Sequence, residues 1–109
     1  MFVIEPHIHM IARTTQDYER MAKMHTIACC EPSFWAGYDR TSPEAFYDYF
    51  THLTEFEPKR ARSYLIEHYC WICVNPKESE NLNLSREVIT FIPEFLQKPT
   101  VLGVGEVGS

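Results

Sequence analysis

The chain has 109 residues, 45% of them hydrophobic and 14% aromatic, which suits one globular domain with a buried core. No run approaches the roughly 18 uninterrupted apolar residues of a membrane span, and Met1 to Met10 carries Glu5 and two histidines where a signal peptide needs an apolar stretch, so a cytoplasmic protein is expected. The formal charge of −5 repels phosphate backbones and argues against a broad nucleic-acid surface, although bound divalent cations would still let an acidic chain act on a phosphoester.

Phe2-Val3-Ile4 opens a β-branched run that ends in Glu5-Pro6-His7-Ile8-His9-Met10. Thr14-Thr15-Gln16-Asp17 then supplies the Ser/Thr-x-x-acid pattern of a helix start, which predicts a helix from about Thr15 to Met24. Thr26 to Cys30 is a second short apolar run, and Glu31-Pro32 stops it because proline cannot donate to a sheet ladder. Ser33 to Thr41 has no period and reads as an aromatic-rich loop. Ser42-Pro43-Glu44 has the form of an N-cap with proline at the first helical position. Phe46, Tyr49, Phe50 and Leu53 continue that helix to about His52 or beyond, with Pro58 expected to kink or divide it. Tyr69 to Val74 is apolar throughout, as in a strand covered on both faces, and Asn75-Pro76 closes it. Val88, Ile89, Ile92 and Phe95 give a helix over Ser85 to Leu96 that contains Pro93. Thr100 to Val107 reads as a fourth strand.

Strands and helices alternate, the pattern of right-handed βαβ crossovers over a parallel sheet. A complete eight-stranded barrel takes about 250 residues. The expectation is therefore an α/β chain, parallel βαβαβαβ, forming the N-terminal half of a (β/α)8 TIM barrel, with residues 1–109 as one domain. A fourth strand left as an uncovered edge favours self-association or pairing with a missing C-terminal half-barrel.

Cys29, Cys30, Cys70 and Cys73 form an even set with one C-x-x-C spacing, but residues one or three apart in a strand point to opposite faces, so they are expected to be reduced and to bind no zinc. His7 and His9 differ. Two apart at the C-terminal end of the first strand, they project from one face and can reach one ion, at the strand end where parallel barrels place their chemistry. Glu106 is a carboxylate in the apolar, glycine-rich run Val104-Gly105-Glu106-Val107-Gly108, where a metal would compensate its charge and the glycines would leave ligands room to approach. Gly103 to Gly108 also matches the dinucleotide fingerprint G-x-G-x-x-G, but that motif needs a following helix to hold the pyrophosphate.

Glu5-Pro6-His7-Ile8-His9-Met10 together with Gly105-Glu106-Val107-Gly108 resembles the TatD-type metal-dependent hydrolases of the amidohydrolase superfamily. The likeness spans the chain, including the strand ends at Glu31-Pro32-Ser33-Phe34-Trp35 and Asn75-Pro76-Lys77-Glu78. It implies that His7 and His9 bind one divalent ion and that Glu106 bridges two, with zinc, magnesium or manganese as the cofactor. Further histidines and an aspartate come from later strands in that family, positions that these residues do not include. Deoxyribonuclease-like members carry an aspartate beside the first histidines, where this sequence has Glu5-Pro6.

The loop after the second strand should overhang the same rim, with Trp35, Tyr38 and Arg40 either shaping a substrate pocket or packing on the barrel. His25, His52 and His68 read as surface histidines. The function that follows is hydrolysis of an ester, amide or phosphoester bond by metal-activated water, with Glu106 catalytic and the substrate a small molecule or phosphoester. Two alternatives remain: a catalytically incomplete barrel fragment that needs a complementing half, or a small open α/β binding domain of flavodoxin-like shape in which the histidine pair is incidental.

Overall fold

The computed structural model describes residues 1–33, 40–74 and 81–105. Four strands, β1 (Val3–Glu5), β2 (Thr26–Pro32), β3 (Glu67–Ile72) and β4 (Val101–Val104), form one sheet in the order β1-β2-β3-β4, and every neighbouring pair is parallel. The intervening helices are α1 (Thr15–Lys23), α2 (Pro43–Thr51), α3 (Glu57–Arg62) and α4 (Leu82–Leu96), with a π-helical turn at His52–Phe56 joining α2 to α3.

Local chemistry accounts for most of these boundaries. The Thr14 N–H donates to the Asp17 carboxylate at 3.2 Å at the start of α1, and the Ser42 hydroxyl accepts from Ala45 N at 3.2 Å ahead of Pro43. Asn81 caps α4 through Leu84 N at 3.1 Å, so that helix begins three residues before the expected Ser85. Pro93 lies inside α4 without ending it. Pro58 does not end the long helix either: it sits in the first turn of α3, and the Thr54 carbonyl that its missing N–H would leave open accepts from the Thr100 hydroxyl at 2.7 Å. The irregularity is instead the π turn just before it, where Glu57 N bonds back to His52 O.

Strand boundaries also differ from expectation: β3 ends at Ile72 rather than Val74, and β4 covers Val101–Val104 with Gly105 outside it. β2 runs on through Pro32, which pairs with Trp71 as the last residue of the strand. β3 begins two residues early, at Glu67, because His68 is drawn inside despite its polarity.

The register pairs Cys29 with His68 and Glu31 with Cys70, so strand alternation sends Cys29, Glu31, His68, Cys70 and Ile72 to one side. That side carries the helices. Cys70, Ile72 and Val74 pack with Phe46, Phe50 and Leu53 and with Leu84, Val88, Ile92 and Phe95, while Cys29 joins Met10, Tyr18, Ala61 and Ile66 in a second cluster. Each large apolar side chain buried in this way contributes about 1.5–3 kcal/mol. Tyr69 and Trp71 alternate to the opposite side and are half-buried. On β4, an outer strand, Leu102 and Val104 are about half exposed, at 51% and 52%.

Candidate metal centre

β1 ends at Glu5 and Pro6 turns the chain, yet the path stays beside β2, since Ile8 N donates to Cys30 O at 3.0 Å. Ile8 packs against the second core cluster. The residues flanking it therefore turn the other way, with His7 exposed and His9 half-buried. Their rings lie 5.1 Å apart between centroids and perpendicular to each other. An imidazole centroid sits about 3.2 Å from a zinc ion that the ring binds, so two rings on one ion at angles of about 90–110° have centroids roughly 4.6–5.3 Å apart. The observed centroid spacing falls inside that range.

Glu106, Trp35 and Tyr38 lie outside the described residues. Among the described residues no group of three or more histidine, cysteine or acidic side chains could hold a metal, so the described part of the proposed donor set is His7 and His9. Gly105, which precedes Glu106, is buried and donates from its N–H to Ile72 O at 3.0 Å. What lies against the glycines here is Trp71: a Cβ at Gly105 would sit 3.2 Å from Trp71 Cβ, and one at Gly103 would meet the indole at 3.6 Å. The Ser33 hydroxyl ties three strand ends together, accepting from Cys73 N at 2.9 Å and lying 2.8 Å from Gly105 O. Arg40, the third residue expected at the substrate pocket, lays its guanidinium 3.9 Å from the Tyr49 ring centroid and 5.5 Å from that of Phe46, a cation–π packing on α2.

The cysteines are free thiols. Cys29 and Cys70 are fully buried, and burial followed by the nearby Glu31 charge pushes each thiol up to about 12. Cys30 and Cys73 are half-buried.

Of the histidines read as surface residues, His25 and His52 are exposed, but His68 is not. His68 and Glu31 are fully buried and lie 2.7 Å apart, Nε2 to Oε1. The correction has a plain cause: the carboxylate supplies the polar partner that lets an imidazole enter an apolar layer. The alternation His68-x-Cys70-x-Ile72-x-Val74 carried a period-2 signal for it. A second polar network, also missed, centres on Glu57, which is 1% exposed. Tyr18 OH donates to Glu57 Oε1 at 2.7 Å, and Arg60 reaches the same oxygen at 2.6 and 3.0 Å. Burial and the Glu57 bond together push the Tyr18 phenol far above its usual range.

Four parallel strands in sequence order with their helices alternating match the fold of the N-terminal half of a TatD-like TIM barrel. The fold matches the crystal structure of a TatD-like protein from Archaeoglobus fulgidus with a TM-score of 0.70 and 18% identity, over 98% of this chain and 43% of that one. In sequence the chain is 29% identical over 109 residues to an uncharacterized metal-dependent hydrolase of Methanocaldococcus jannaschii, covering 97% of this chain. It spans 41% of that relative's length. No family model matches the chain. Among the described residues no helix is long and apolar enough to cross a membrane.

Proposed function

We propose that this chain carries the first part of the active site of a TatD-like metal-dependent hydrolase, acting in the cytoplasm on an ester, amide or phosphoester. The observation that carries the reading is the His7–His9 pair, 5.1 Å apart at the C-terminal end of β1. His7 and His9 would each supply a ring nitrogen to a divalent ion, zinc, magnesium or manganese, and Glu106 would supply a carboxylate to the same metal site. When bound, such ions lower the pKa of a water and polarise the oxygen of the scissile group. His7 and His9 would orient their donors from a strand end whose intervening Ile8 packs against the second core cluster. Trp35, Tyr38 and Arg40 border the substrate. The remaining ligands come from residues beyond these, in a complementing half-barrel or a second copy, and the exposed Leu102 and Val104 suit such a contact.

The test is metal stoichiometry and phosphodiesterase and esterase turnover, measured for the 109-residue chain and for a protein of full barrel length. The short chain should take up zinc weakly, lose it with His7→Ala and His9→Ala, and turn over poorly. The full-length protein should be active and should lose activity with Glu106→Gln. Zinc binding indifferent to both histidines, or equal turnover by the two proteins, would overturn the reading.

A further inference from the structure

Directly after His9 the chain reverses in a tight turn in which Arg13 N donates to Met10 O at 2.9 Å. The polar backbone groups of this turn are captured from two sides by side chains that sequence reading did not single out. Ile11 N donates to Glu31 Oε2 at 2.9 Å. Arg60 donates to Met10 O at 2.7 Å and to Arg13 O at 2.9 Å, and is itself gripped by the buried Glu57. Arg13 Nε closes the loop onto His9 O at 3.2 Å.

Glu31 is the deeper of the two anchors. It projects from β2 into the helix-facing layer, where packing alone would be met by an apolar side chain, and an unpaired carboxylate there is strongly disfavoured. His68 neutralises that penalty. Its Nδ1 is buried and has no hydrogen-bond partner among the described residues, which fits the tautomer whose Nε2–H donates to Glu31 Oε1. With one oxygen on His68, the other is aimed at the backbone two residues past His9.

We propose that Glu31, oriented by His68, is a positioning residue for the His7–His9 pair: by fixing Ile11 N it holds the turn that sets where His9 points. The consequence for metal affinity rests on the function proposed above, whereas the consequence for histidine geometry does not. The experiment is therefore run with two readouts on the folded 109-residue chain: zinc affinity by calorimetry, and the side-chain 15N resonances of His7 and His9 in the metal-free chain.

Glu31→Ala removes the acceptor, and Ile11→Pro removes the donor from the other side. Both should weaken zinc binding by about tenfold and broaden or multiply the His9 signals. Glu31→Gln keeps an acceptor for Ile11 N only by turning its amide N–H toward His68, so it should fall between the parent chain and Glu31→Ala. If Glu31→Ala does not fold, Ile11→Pro carries the test alone. A folded Glu31→Ala or Ile11→Pro chain with parental zinc affinity and unchanged histidine resonances overturns the proposal, as does Glu31→Gln behaving as badly as Glu31→Ala. A parent chain that takes up no zinc defeats the metal reading instead, and the histidine resonances then decide the positioning role by themselves.

Discussion

Replacing His68 by leucine keeps the side-chain volume nearly constant and deletes the donor that faces Glu31. Both side chains of the pair are fully buried and 2.7 Å apart, so the variant strands a carboxylate in the helix-facing layer with the Ile11 N–H as its remaining donor among the described residues. Breaking a buried pair in this way costs about 3–5 kcal/mol. A domain of this size commonly holds about 5–15 kcal/mol in total, so His68→Leu should fall close to the unfolding threshold. Adding Glu31→Leu removes the stranded charge and leaves chiefly the Ile11 N–H unsatisfied, at about 1–3 kcal/mol. The double variant should therefore be more stable than His68→Leu alone, the reverse of what two independent lesions would give. Urea denaturation at pH 7 of the parent, both single variants and the double variant measures this cycle. Single-variant losses that add within about 0.5 kcal/mol, or a His68→Leu loss below about 1 kcal/mol, would refute the coupled-pair argument.

The Cys29 and Cys70 thiols, pushed up from 9.0 to about 12, favour the protonated form in the folded chain, so their contribution is complete below pH 9 and is lost as the pH rises from 9 to 12. Urea midpoints should fall over that window by an amount worth several kcal/mol, and a Cys29→Ala/Cys70→Ala chain should show a flatter profile; an equal slope in both would remove the assignment. Pro93 is exposed and interior to α4, so Pro93→Ala restores a helix N–H and should raise stability by about 1–3 kcal/mol. A thermal melt in which the midpoint fails to rise would show that the proline is matched to its local backbone.

The strand–helix alternation was legible because its signals are local: β-branched runs, the Thr14 and Ser42 caps, and prolines that close strands. The histidine pair was legible for the same reason, since two-residue spacing at a strand end is a geometric statement. His68 and Glu31 were not. Each looks like a surface residue on its own, and their burial depends on a parallel register that brings residues 37 apart in sequence into one layer. The start of β3 was misplaced by the same polarity, with Glu67 and His68 excluded from the strand. Of the glycines flanking Glu106, Gly108 lies outside the described residues, and what approaches Gly105 is Trp71, 34 residues upstream and undetectable from the glycine spacing. Arg40 was placed at a rim by its loop, while its partner Tyr49 belongs to the following helix.

The wide turn at His52–Phe56 acts as a phase adjuster. Phe46 and Phe50 upstream of it, and Leu53 within it, face one cluster; downstream the helix presents Glu57 and Ala61 to the other. Each residue of an α-helix advances the direction of its side chains by about 100°. Shortening this stretch by one residue to give unbroken α-helix would swing Glu57 and Arg60 by about that angle, away from the Tyr18 hydroxyl and from the carbonyls of Met10 and Arg13. A single surplus residue far from β1 in the chain thus times the helix so that its second half meets the turn behind His9, and an insertion or deletion there would be felt at the strand end rather than in the helix that carries it.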